Sequence, residues 1–91
     1  MTTRVMIVDD HEVVRSGLKA LLADKDIDVV GEAASGNEAV RLARELQPEV
    51  VLMDVRMGDG DGLAALGEIH KQQPETAVLI CNGLPESMAS K

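Results

Sequence analysis

No Phe, Tyr or Trp occurs anywhere in the 91 residues, so any core comes from Val, Leu, Ile, Met and Ala. A single cysteine, Cys81, excludes an internal disulfide. It falls in an apolar run that reads as a strand, where a thiol behaves as a small buried hydrophobe, and this usage suits a reducing cytoplasmic setting. No run of 18 apolar residues and no long apolar segment near the N-terminus is present, so a membrane span and a signal peptide are both unsupported. Positive charge is scarce as well. Nine Lys and Arg stand against 16 Asp and Glu, a formal net charge of −7. The segment therefore lacks the basic face that direct nucleic-acid binding requires, although a DNA-binding partner domain in a longer chain is compatible with this.

What is present fits one small domain, residues 1–91. A chain of this size buries only about 60–65% of its unfolded surface, so the core is thin. The chain is organised around Val50 to Gly62 (Val-Val-Leu-Met-Asp-Val-Arg-Met-Gly-Asp-Gly-Asp-Gly). Its apolar start, Val50 to Met53, reads as a strand buried on both faces. The run ends on Asp54, and Gly58, Gly60 and Gly62 loosen the next residues into a loop. A carboxylate at the carboxyl end of a buried strand stands where open α/β sheets place their ligand sites.

From the N-terminus, Arg4 to Val8 is a second short apolar strand, followed at once by Asp9 and Asp10. Val14, Leu18, Leu21 and Leu22 then recur at helical spacing, with Val13 and Gly17 beside them. Asp10 or the residue after it caps this helix, which is expected to end near Asp24. Ile27 to Val30 reads as a strand with room to continue to Ala34, and Ser35-Gly36-Asn37 as a turn. A helix from about Asn37 to Leu46 carries Ala39, Val40, Ala43 and Leu46 on its apolar stripe. Pro48 ends it by pushing its predecessor out of the helical region. A third helix over about Leu63 to Gln73 is expected to turn Leu63, Leu66 and Ile69 inward, and Pro74 stops it. Gly67 weakens that helix by about 1 kcal/mol relative to alanine. Ala77 to Cys81 is the fourth strand, and residues 83–91 read as a polar, frayed tail.

Strands alternating with helices of this length predict a parallel sheet with right-handed crossovers. In a doubly wound α/β sheet of flavodoxin-like order 2-1-3-4, the first and third strands are neighbours. Asp9, Asp10 and Asp54 then converge at one edge of the sheet. Like charges so close repel, and a cation relieves them. Hard oxygen ligands with room for water suit Mg²⁺ held by carboxylates together with a phosphoryl group.

Three stretches together carry a family resemblance. They are Met-Ile-Val-Asp-Asp-His-Glu-Val-Val-Arg-Ser-Gly-Leu, Gly-Glu-Ala-Ala-Ser-Gly-Asn-Glu-Ala and Pro-Glu-Val-Val-Leu-Met-Asp-Val-Arg-Met. From about Val5 to Cys81 the chain resembles a bacterial two-component response-regulator receiver domain, in the branch with a LuxR-type helix-turn-helix output. The resemblance implies that Asp54 is the phosphoacceptor. It implies further that Asp10 ligates Mg²⁺ directly, Asp9 acts largely through water, and the backbone carbonyl of Arg56 completes the protein's share. It also implies a sensor histidine kinase or a small phosphodonor as the source of the phosphoryl group, a transcriptional output, and no turnover of its own as an enzyme.

The chain departs from the family pattern in three places. Gly58 stands where Pro is usual, and Asn82 stands where Ser or Thr usually contacts the phosphoryl group. The fourth helix, the fifth strand with its phosphate-contacting Lys, and the fifth helix are not in the sequence, and Lys91 is not assigned that Lys role. These departures predict a weaker response to phosphorylation, with a non-switching interaction module as the alternative function. They also predict self-association through an exposed fourth strand. Met57 to Glu68 partly imitates a calcium loop but begins on Met57, which offers no oxygen ligand. Asp9-Asp10-His11 faintly resembles a cobalamin-binding loop but has Val14 where Gly belongs. His11 and His70 read as solvated surface residues.

Overall fold

The computed structural model describes residues 2–23, 25–54 and 62–81. Along the chain lie β1 (Thr3–Val8), α1 (Glu12–Leu22), β2 (Ile27–Ala33), α2 (Gly36–Leu46), β3 (Val50–Asp54), α3 (Gly62–Gln72) and β4 (Ala77–Cys81). The strands form one parallel sheet in the order β2-β1-β3-β4, the flavodoxin-like order expected from the sequence. Expectations for Arg56, Asn82, the Cys81 side chain, the glycine loop and the 83–91 tail fall outside the described residues, as does the calcium-like loop around Asp59 and Asp61.

Alternation along the strands divides the sheet into two faces. On one, Met6, Val8, Ala33, Val51 and Met53 pack with Ala39 and Ala43 of α2 and Ala65 and Ile69 of α3. Methionine takes the volume that aromatic rings fill in other cores, its unbranched thioether adapting to irregular gaps. Alanine lets the helices lie close to the strands. Gly31 marks the tightest approach: a Cβ there would come 2.5 Å from Leu46 Cδ1.

On the other face Val5 and Ile7 are buried, and α1 lies over it. Glu32, paired in register with Ile7, meets Arg15 and Lys19 of α1 on that side. No α1 residue is fully buried. Val14, Leu18 and Leu22 are half-buried, whereas Leu21, expected on the stripe, is exposed. α1 leans on the sheet beside β2, so only a narrow strip of it finds apolar cover. It ends at Leu22, short of the expected Asp24.

Local chemistry explains the helix ends. At α2, Ser35 Oγ accepts from the Glu38 amide at 3.2 Å, while Glu38 Oε1 reaches back to the Ala34 amide at 2.8 Å. This reciprocal arrangement satisfies donors that a helix start leaves unpaired. At the other end Gln47 leaves the helix in the left-handed region, at φ 47°, immediately before Pro48. Arg4 closes that end, its guanidinium donating to Leu46 O at 2.6 Å and Gln47 O at 2.8 Å.

α3 corrects one expectation. Gly62, Ala65 and Ile69 are buried and Leu66 half-buried, but Leu63 is 68% exposed. Leu63 lies about 200° around the helix from Ala65, so its size could not bring it to the α2 side. Among the described residues β4 is an edge strand, and its Leu79 and Ile80 stand half-exposed.

Candidate functional site

β1 and β3 are adjacent and in register, with Val8 opposite Met53. The residues that leave their carboxyl ends therefore meet. Asp9 follows the last residue of β1 and is only 2% exposed, and Asp54, the last residue of β3, is 3% exposed. Asp10 follows at a more open position.

His11 is exposed, as its sequence context implies, and its ring also reaches the acidic cluster. Ligand atoms of Asp9, Asp10, His11 and Asp54 all lie within 4.8 Å of one another. His11 Nδ1 is 2.9 Å from Asp10 Oδ1 and 3.1 Å from Asp9 Oδ1. His11 is also the N-cap of α1, and its side chain makes no capping bond; its own amide donates instead to Asp9 Oδ1 at 2.8 Å. The signal in the sequence is adjacency: His11 directly follows the two site aspartates at the strand-to-helix corner.

The corner is held from several sides. The Asp9 amide donates to Ala33 O of β2 at 3.0 Å, tying the end of β1 to its neighbour. Arg15, one turn into α1, donates through Nη1 to Asp9 O at 2.6 Å and through Nε to Glu32 Oε1 at 3.0 Å. Lys19 Nζ reaches the other Glu32 oxygen at 2.7 Å. These partners, the Lys19 hydrogen bond foremost, hold the Glu32 carboxyl below its ordinary pKa.

Three carboxylates and an imidazole at this spacing can hold a divalent cation. Octahedral coordination with metal–oxygen distances of about 2.0–2.1 Å sets ligand atoms roughly 2.9–4.1 Å apart. The ligand atoms of the cluster span up to 4.8 Å, somewhat wider than this, and its hard, anionic oxygens suit a hard divalent cation. His70 is exposed on α3, as its sequence context implies.

Comparisons with known proteins agree with this geometry. The family model described as the response regulator receiver domain matches residues 5–89. The response regulator protein VraR of Staphylococcus aureus is 47% identical over 87 residues, covering 94% of this chain and 42% of its own. A LuxR-family two-component response regulator from Aurantimonas sp. SI85-9A1 superposes with a TM-score of 0.81 at 38% identity, over 88% of this chain and 58% of that one. The response regulator domain of Thermotoga maritima CheB gives a TM-score of 0.81 at 40% identity, covering 88% of this chain and 60% of that chain. The chain thus spans less than half the length of the curated relatives it matches.

Proposed function

We propose, from the premise that this chain belongs to the response regulator receiver domain family, that it accepts a phosphoryl group on Asp54. The observation that carries the proposal is the convergence of Asp9, Asp10 and Asp54 at the ends of two adjacent parallel strands. A carboxylate oxygen of Asp54 attacks phosphorus in line. The new O–P bond gives an acyl phosphate as the P–N bond of a phosphohistidine breaks, and the leaving imidazole takes up a proton. With a small acyl phosphate as donor, the P–O bond breaks instead and a carboxylate leaves.

Asp9 and Asp10 would hold Mg²⁺ beside Asp54, with the backbone carbonyl of Arg56 as a further proposed ligand and Asn82 as a proposed phosphoryl contact. Bound there, the ion supplies charge neutralisation for the phosphoryl oxygens. Asp54 is only 3% exposed, so bulk water has little access to it. The partner we infer is a sensor histidine kinase in the cytoplasm. Among the described residues no helix is long and apolar enough to cross a membrane. The output we infer is transcriptional, read out by a DNA-binding domain elsewhere in a longer protein, since this segment is acidic. The half-exposed Leu79 and Ile80 support self-association along β4.

Incubation with Mg²⁺ and acetyl phosphate, followed by intact-mass measurement, tests the central claim. The expected result is a single phosphate adduct that is absent in Asp54→Ala. An unmodified parent at high donor concentration would refute phosphoacceptance and leave a non-switching interaction module.

A further inference from the structure

The geometry points to Arg15 as a positioning residue for the acidic site, holding the β1–α1 corner in the shape that aims Asp9 and Asp10 at Asp54. This rests on the reading of the cluster as a metal-assisted phosphoacceptor site. Arg15 touches no proposed reacting atom. Its side chain is only 16% exposed and spans two elements: Nε is anchored on Glu32 of β2 and Nη1 on the backbone oxygen of Asp9.

The peptide carbonyl it holds matters more than the length of the bond suggests. The Asp9–Asp10 peptide is planar, so fixing its oxygen fixes the direction in which the chain enters Asp10. The Asp9 amide is already tied to Ala33 O, and Asp9 Oδ1 is tied to the His11 amide. With its carbonyl also held, Asp9 is restrained at its amide, its carbonyl and its carboxylate. The carbonyl restraint comes from the Arg15 side chain, and the carboxylate also meets the His11 ring nitrogen at 3.1 Å. The planar guanidinium suits this task because its fork serves two acceptors at once in a fixed geometry. Glu32 in turn is braced by Lys19 at 2.7 Å, so the fork is held at its far end.

Electrostatics and positioning predict opposite signs when Arg15 is removed. A cation beside a metal site repels the incoming metal ion, so deleting the charge alone tightens binding. Losing the restraint on the corner weakens it. Groups that orient metal ligands typically account for about 10–100-fold in affinity.

The test is Mn²⁺ affinity of the purified protein by isothermal titration, at a temperature where circular dichroism shows every variant fully folded. Arg15→Met is expected to weaken Mn²⁺ binding about tenfold. Lys71→Met removes one positive charge from the exposed end of α3, outside the Arg15–Glu32–Asp9 set, and is expected to leave binding unchanged. Arg15→Met binding Mn²⁺ as tightly as the parent, or more tightly, overturns the positioning role. Should Arg15→Met fail to fold, Glu32→Ala decides, because it unties the Nε anchor while keeping the guanidinium: several-fold weaker binding supports the role, and unchanged binding overturns it. A parent that takes up no Mn²⁺ refutes the metal-site reading itself, and the positioning role falls with it.

Discussion

Replacing Asp10 by alanine tests the site through stability, without any phosphoryl chemistry. Its carboxylate lies within 4.8 Å of those of Asp9 and Asp54. At that separation two like charges repel by about 0.9 kcal/mol in water and about 3.5 kcal/mol at an effective dielectric near 20. The Asp10 side chain is 29% exposed while Asp9 and Asp54 are nearly buried, so the repulsion lies between these figures, and the His11 ring nitrogen at 2.9 Å offsets part of it. Without metal, Asp10→Ala is therefore expected to be as stable as the parent or about 1 kcal/mol more so. With metal the order reverses. At a hundred times its dissociation constant an ion stabilises the folded state by about 2.7 kcal/mol, and a variant with hundredfold weaker affinity keeps only about 0.4 kcal/mol of that. For a domain of this size each kcal/mol moves the melting temperature by about 4–8 °C, so the parent is expected to rise by roughly 10–20 °C and the variant by a few degrees. Far-ultraviolet circular dichroism melts in EDTA and in MgCl₂, with ionic strength matched by NaCl, give both orders in one experiment. An Asp10→Ala protein that keeps the parent's metal-induced rise refutes the site. One that loses several kcal/mol without metal shows that Asp10 stabilises the corner rather than straining it.

Three other outcomes are expected from the fold. Gln47 occupies the left-handed region at φ 47° with an exposed side chain, so Gln47→Gly is expected to stabilise the protein by about 1 kcal/mol, read as a higher urea midpoint at unchanged slope; a lower midpoint would contradict the strain. The Glu32 carboxyl is held below its ordinary value of 4.5, chiefly by Lys19. Its contribution is thus complete above the unfolded-state pKa and is lost as pH falls through the lower folded-state one. Relative to Glu32→Gln, the parent is expected to lose up to about 1 kcal/mol across that acid range, and identical pH dependence would show the pairs to be absent in solution. Finally, Ile80→Lys on the β4 edge is expected to shift sedimentation toward monomer; a parent already monomeric at micromolar concentration would remove the basis for self-association.

The elements are legible in the sequence because their periods differ cleanly. Apolar runs ending on Asp9 and Asp54 mark the strands that matter, and the acidic edge is implied once those strands are neighbours. Side-chain facing is less legible. Size and approximate spacing point Leu63 and Leu21 inward, whereas the buried positions of α3 are Gly62, Ala65 and Ile69, the first two small residues that carry little hydrophobic weight in a sequence. Close packing selects for the absence of side chain, and an absence is hard to see in a pattern of large apolar residues. The Arg15–Glu32 pair is invisible for a different reason. Its members are 17 residues apart, and only the parallel crossover that lays α1 beside β2 makes them partners.

The two sides of this sheet are held by different forces. α2 and α3 are joined to it by a dry layer of Met, Val, Ile and Ala, whereas α1 has no fully buried residue and is tied down by Arg15 and Lys19 on Glu32. Apolar cohesion strengthens in sulfate, which is excluded from protein surfaces, while partly exposed ion pairs fade as the screening length falls from about 10 Å at 0.1 M salt to about 3 Å at 1 M. Salts of different character thus act as separate levers on the two sides. Sodium chloride is expected to weaken the ties of α1 in part, while the opposite apolar layer is left unweakened. Among the described residues the β1–α1 corner is then the segment expected to respond most to the ionic composition around it, and amide exchange along α1 should quicken with chloride while that of α2 holds steady.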